Sequence, residues 1–246
     1  MHLVNLAFFT LMYPIFFRDY MYLDSKALIY GAIGAIFFSL YHLALSTAYK
    51  HSDISSIYPI TTSSPLFIII WATIFMGERL SLLGLIGIAV TVFGGIVLNG
   101  INNIFNKPTK GMLFALLAAF AYSFGALADK AGVGTNNTIF YVYCLCFFMS
   151  LDLSIVGLRQ KSFRLDFLKK EYKPIILAGF IVFLSFMTYR VGLTYMEVSY
   201  ASALRQINSL FALAMGILIF KESLTANKLA GTFVIITGVI LIRFGM

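Results

Sequence analysis

"FMGERLSLLG" occupies residues 75–84 and sets Glu78 and Arg79 between two long apolar runs. The pattern returns in "FKESLTANKL" at 220–229. Aligning 48–98 with 192–242 without a gap brings ten identical residues into register, including Ser55/Ser199, Glu78/Glu222, Gly87/Gly231 and Gly94/Gly238. The two glycines of each copy lie seven residues apart on one helix face, where small residues allow helices to approach closely. Each glutamate stands at the start of the following helix, where a carboxylate favours the positive end of the helix dipole. Glu78 and Glu222 are therefore read as structural turn residues.

The runs on either side identify the solvent. Of the 246 residues, 60% are hydrophobic and 11% charged, against ~25% charged in soluble domains. The chain has too little polar surface to cover a globule in water. Apolar stretches recur at roughly 3–20, 27–48, 54–76, 80–99, 111–131, 137–157, 173–194, 198–219 and 225–244. Each is long enough for a helix across a bilayer core of ~30 Å. They do not alternate as barrel strands do. The expected class is an all-α polytopic membrane protein. The net charge of +8 comes from cations in the breaks between apolar runs, so it does not signal nucleic acid. The first run lacks a basic leader and a small-residue cleavage site. Cys144 and Cys146, two apart, fall on different helix faces and support neither a disulfide nor a metal site.

The matching third and eighth spans are five spans apart, so they cross in opposite directions. That is an inverted-topology repeat, a construction found in secondary transporters. The first repeat, residues 1–100, holds four spans; the second, 108–246, holds five.

"LALSTAYKHSDISSIYPITTSSPLFIIIWATIFMGERLSLLGLIGIAVTVFGGIVL" (43–98) resembles the EamA domain of the drug/metabolite transporter superfamily. It carries an Ala-Leu helix end, a Ser-rich helix with a central Pro, the G-E-R-L turn and a Gly-bearing helix. "VGLTYMEVSYASALRQINSLFALAMGILIFKESLTANKLAGTFVIITGVILI" (191–242) is similar to the second copy. The resemblance implies ten helices as five plus five, with the first of each five helping to line a central cavity. "GMLFALLAAFAYSFGALADKAGV" (111–133) matches the first helix of the second copy. Nothing precedes the first span to match its counterpart, so the expectation is a chain lacking the first helix.

Ionisable groups inside spans mark candidate functional sites. By the ~1.5 Å rise per residue, His42 and Asp152 lie ~22 Å from their helix starts and Arg205 ~10 Å. Asp152 and Arg205 are thus not expected to pair, while a His42–Asp152 contact is allowed by depth. Arg205 opens the string Arg205, Gln206, Asn208, Ser209, whose repeat partners are Thr61, Thr62, Ser64 and Pro65. Pro59 and Pro65 would loosen that helix and free carbonyls. Polar patches at symmetry-related mid-depth positions suit a substrate cavity. Arg205, Gln206, Asn208, Thr61, Thr62 and Ser64 are the substrate-binding candidates. Arg205 would favour an anionic or zwitterionic metabolite; the plainer role is snorkelling or a structural pair. His42 and Asp152 are the candidates for proton coupling. Their plainer roles are a hydrogen bond to a neighbouring helix and a helix-end position. Arg190 and Lys130, near span ends, read as interfacial, and Trp71 as packing.

No P-loop, H-E-x-x-H or G-x-S-x-G motif is present, and no cofactor, metal or enzymatic activity is expected. Orientation is contested. One side carries six loop cations and the other eleven, so the positive-inside rule opposes the arrangement that the resemblance implies. The reading is a secondary transporter working by alternating access in the inner membrane of a prokaryote, with a homodimer left open. Its rivals are a membrane-embedded enzyme using His42 and Asp152, and a truncated, non-transporting member of the family.

Overall fold

The computed structural model describes residues 2–20, 22–52, 54–99, 109–159, 172–221 and 225–246. Among them every regular element is a helix. Helix α1 spans His2–Phe16, α2 Ser25–His51, α3 Ile54–Thr62, α4 Ser64–Trp71, α5 Leu82–Asn99 and α6 Lys110–Val133. The chain continues through α7 (Thr138–Arg159), α8 (Tyr172–Leu193), α9 (Val198–Leu204), α10 (Ile207–Phe220) and α11 (Ala226–Gly245). Seven stretches among the described residues are long and apolar enough to cross a membrane, and His2–Phe16 and Leu82–Leu98 are shorter apolar helices. Large apolar side chains such as Leu177, Phe211, Leu218 and Phe233 stand exposed. Water would penalise them; hydrocarbon does not. The chain is an integral, multi-pass membrane protein.

Two expected spans are each built as two helices. The third breaks at Ser63, between α3 and α4, then runs through a π-helical turn at Ala72–Met76 to Gly77. Gly77 closes it at φ 68°, the left-handed conformation that glycine takes at helix ends. The eighth breaks at Arg205–Gln206, between α9 and α10. The first break has a visible cause, because Pro65 cannot donate to the turn before it. The second has no proline; its turn is held by Gln206 N donating to Ala203 O at 3.0 Å and Asn208 N to Arg205 O at 3.0 Å. The first span is also shorter than expected: α1 stops at Phe16, and a 3-10 turn covers Arg18–Tyr20.

The chain forms two compact units, and neither coincides with a sequence repeat. The first unit comprises Met1–Ser39 and Leu127–Met196; the second comprises Leu40–Ala126 and Glu197–Met246. In the first, aromatic packing joins α1 to α8, with Phe9 and Phe183 edge to face at 4.6 Å. In the second, α5 and α11 run antiparallel along the glycine faces. A Cβ on Gly87 would lie 2.7 Å from Ile242 N, and one on Gly94 2.7 Å from Ile235 N. From the other helix, a Cβ on Gly231 would lie 2.5 Å from Leu98 Cα, and one on Gly238 2.6 Å from Thr91 N. Only glycine lets the backbones come this close.

Candidate functional site

In the second unit a cavity of about 170 Å³ lies where the two broken helices meet. Ten of its lining residues form five pairs related by the 144-residue repeat: Tyr58/Ser202, Thr61/Arg205, Thr62/Gln206, Ser64/Asn208 and Pro65/Ser209. Tyr41 from α2 and Tyr122 from α6 complete the lining. All six residues singled out from the sequence as substrate contacts therefore border one space. Ser209 and Pro65 were read as part of the polar strings but not as substrate contacts, and the three tyrosines and Ser202 were not singled out. Ser202 and Tyr58 lie four residues before known lining positions, one helical turn away, and that spacing was the available signal. Tyr41 and Tyr122 come from helices outside the repeat match and had none.

The break geometry explains why the cavity is polar. Leu66 N donates to Ser63 O at 2.9 Å, one residue short of an α-helical bond, which leaves Thr62 O without its partner four residues ahead. Gln206 supplies a donor instead: its Nε2 lies 2.6 Å from Thr62 O. Thr61 and Thr62 turn their hydroxyls back onto Tyr58 O, at 3.0 and 2.9 Å, as Ser and Thr do where a membrane helix is interrupted. Tyr58 Oη and Ser209 Oγ stand 3.4 Å apart between α3 and α10.

Arg205 is the one charged side chain among the described residues that line the cavity. Its guanidinium carbon lies 5.2 Å from the centre of the Tyr122 ring, a cation–π distance. Tyr41 meets the same ring edge to face at 5.3 Å. A space walked by hydroxyls and phenols around one guanidinium can receive an anionic group and hydrogen-bond a polar body.

His42 is half-buried and touches Tyr41 ring to ring at 5.0 Å, but does not line the cavity. Asp152 belongs to the first unit, where it accepts a hydrogen bond from Ser39 Oγ at 3.3 Å. Trp71 packs against Phe75, Phe120 and Phe124.

Glu78 is 6% exposed and serves a different helix from the one expected. Its carboxylate accepts from Val198 N at 2.7 Å, Ser199 Oγ at 2.6 Å and Ser199 N at 3.4 Å, at the start of α9. The helix that follows Glu78 in sequence is α5. Folding brings it to a helix of the other repeat, whose own leading residue, Glu197, makes no side-chain cap. Glu222 and the basic link at 160–171 lie outside the described residues.

Arg190 is not interfacial. It is 4% exposed and forms a two-point ion pair with Asp129 in the first unit, Nη2 to Oδ2 at 2.9 Å and Nε to Oδ1 at 3.0 Å. Tyr141 donates its phenol to the same Oδ1. The ring of Tyr141 fits because residue 132, one turn beyond Asp129, is glycine; a Cβ there would overlap it. Arg190 also lies 4.3 Å from the Phe186 ring and 5.8 Å from that of Phe38. Lys130 donates to Leu193 O and Met196 O at 3.1 and 2.6 Å, satisfying carbonyls at the end of α8.

An all-helical, multi-pass membrane fold with a polar cavity at paired helix breaks belongs to the class that handles small solutes in the bilayer. The chain belongs to the EamA-like transporter family, whose profile matches residues 3–100 and 109–244. An uncharacterized transporter of Archaeoglobus fulgidus is 25% identical over 93% of this chain and 81% of its own length. An uncharacterized transporter of Haemophilus influenzae is 30% identical over 54% of this chain and 44% of its own length. A protein of known crystal structure shares the fold at a TM-score of 0.79 and 17% identity, across 99% of this chain and 84% of its own.

Proposed function

We propose that this protein is a secondary transporter that moves a small polar metabolite by alternating access, through the cavity at the two helix breaks. The observation that carries the reading is the pairing of the lining: five repeat-related residue pairs face one space. A site built equally from two oppositely directed repeats, 1–100 and 108–246, favours neither side of the membrane, as carrier exchange requires. Arg205 binds the anionic group of an anionic or zwitterionic substrate. Gln206, Asn208, Thr61, Thr62 and Ser64 surround its polar body. His42 and Asp152 are the groups for a coupled proton. The prokaryotic relatives favour the inner membrane of a prokaryotic cell.

The test is a thermal-shift screen of the detergent-purified protein against small carboxylates, zwitterionic amino acids and quaternary amines, with Arg205→Ala alongside. A carboxylate at about 100 times its Kd stabilises the wild type by about 2.7 kcal/mol and leaves Arg205→Ala unmoved. Stabilisation by quaternary amines, undiminished in Arg205→Ala, overturns the assignment of Arg205.

A further inference from the structure

The helices that line the cavity also fix the direction of hydrogen bonding inside it. Three of the five Ser and Thr side chains in the lining give their protons to backbone carbonyls. Thr61 Oγ1 donates to Tyr58 O at 3.0 Å, and Thr62 Oγ1 donates to Tyr58 O at 2.9 Å and Pro59 O at 3.1 Å. Ser202 Oγ donates to Ser199 O at 2.9 Å. The cause is local: a Ser or Thr hydroxyl on a helix in an apolar medium turns its proton onto a carbonyl three or four residues back. A hydroxyl has one proton and two lone pairs. With the proton committed to the main chain, what Thr61, Thr62 and Ser202 offer the cavity is acceptor capacity. Arg205 stands in the same lining, and a guanidinium only donates. One part of the wall therefore donates and another accepts.

A ligand that fits such a wall offers the reverse of it. On the reading that Arg205 binds the anionic group, we propose that the cavity selects carboxylates that carry a hydrogen-bond donor of their own, a hydroxyl or an ammonium. Thr61, Thr62 and Ser202 are the specificity residues that accept from that donor. The carboxylate oxygens accept from the guanidinium, and the donor on the same molecule meets the hydroxyl oxygens. A plain alkanoate sets a methyl group against those lone pairs. An ether sets a further acceptor against them. Either one takes the place of water without returning its hydrogen bonds, which is costly where the dielectric constant is low. A site built to bond a substrate hydroxyl rejects the analogue that lacks it far more strongly than an apolar pocket rejects one methylene. Ser202 enters here as the acceptor contributed by α9, opposite the pair contributed by α3.

The experiment uses two sets of near-isosteric probes on the full chain in detergent. Lactate, alanine and isobutyrate place a hydroxyl, an ammonium and a methyl group on C2. 3-Hydroxybutyrate, 3-aminobutyrate and isovalerate do the same on C3. Affinities come from thermal-shift titrations of the wild type, of Arg205→Ala, and of Thr61→Val, Thr62→Val and Ser202→Ala, singly and together. In at least one set the hydroxyl or ammonium member binds the wild type about tenfold or more tighter than the methyl member. Arg205→Ala abolishes that binding. Removing the hydroxyls brings donor and methyl members to within about twofold, and the single variants carry this reading if the combined one does not fold. 2-Methoxypropanoate, which accepts but cannot donate, binds no tighter than 2-methylbutanoate. Lactate against alanine, and 3-hydroxybutyrate against 3-aminobutyrate, show whether the donor is a hydroxyl or an ammonium. Equal affinities for donor and methyl members in the wild type overturn donor selection and leave the carboxylate reading of Arg205 standing. So does an ether that gains over its hydrocarbon isostere, because the wall would then be donating. A tenfold gap kept in every hydroxyl variant overturns the assignment to Thr61, Thr62 and Ser202. No shift with any carboxylate, or binding undiminished in Arg205→Ala, overturns the reading of Arg205 and donor selection with it.

Discussion

Arg190 sits inside α8 and Arg205 at the break between α9 and α10, and the two units treat them oppositely. Arg190 is enclosed: a carboxylate at 2.9 Å, a phenol on that carboxylate, and ring faces beside it. Arg205 lines a cavity, with one ring face at 5.2 Å and hydroxyls around it. Burying a charge in hydrocarbon is expensive unless it is paired. The first unit meets that cost within the chain, so its arginine is structure. In the second, a cavity opens beside the guanidinium. A membrane-embedded charge is thus a guide to function only when the neighbouring volume is known.

The contrast breaks most visibly at Asp129. Asp129→Ala strands Arg190 in the interior and lowers stability by about 3–5 kcal/mol, read as thermal unfolding in detergent. Asp129→Leu with Arg190→Met restores most of the loss, because the charge to be compensated is gone. A single substitution without effect would show that Arg190 is not enclosed as described. Next in size is the seam that frames the cavity unit. Gly231→Ala forces a methyl group against the Leu98 backbone and costs about 1–3 kcal/mol. Gly87→Ala, its repeat equivalent, should lose a comparable amount, and a large inequality would break the symmetry inferred for the seam.

Glu78→Ala uncaps α9 across the repeats and costs about 0.5–2 kcal/mol. Ser199→Ala in the same background adds less than it does alone, since both remove one network; full additivity would place the two groups apart. The smallest effect separates the arginines directly. Phe186→Leu removes a ring 4.3 Å from a buried guanidinium, while Tyr122→Leu removes one 5.2 Å from a guanidinium at a cavity wall. The first should cost about 2 kcal/mol and the second about 0.5–1 kcal/mol, measured by paired melts. Equal losses would mean that Arg205 is as enclosed as Arg190.

Amino-acid order alone established the class of protein and pointed to a set of polar residues at paired positions of the repeat. Hydropathy does not depend on contacts, so the apolar runs declare the bilayer as solvent. A repeat in register survives in the letters themselves, and it pointed to Thr61, Thr62, Ser64, Arg205, Gln206 and Asn208 together. Three-dimensional packing decided what those letters touch. Asp129 and Arg190 stand 61 residues apart with nothing local to link them, so a charge near a span end read as interfacial. Glu78 reaches Ser199 over 121 residues and caps a helix of the other repeat. The break at Arg205–Gln206 carries no proline and is held by a turn and by a bond to Thr62. Each of these is a pairing between distant segments, and a pairing is a property of the folded chain that neither partner records in its own neighbourhood.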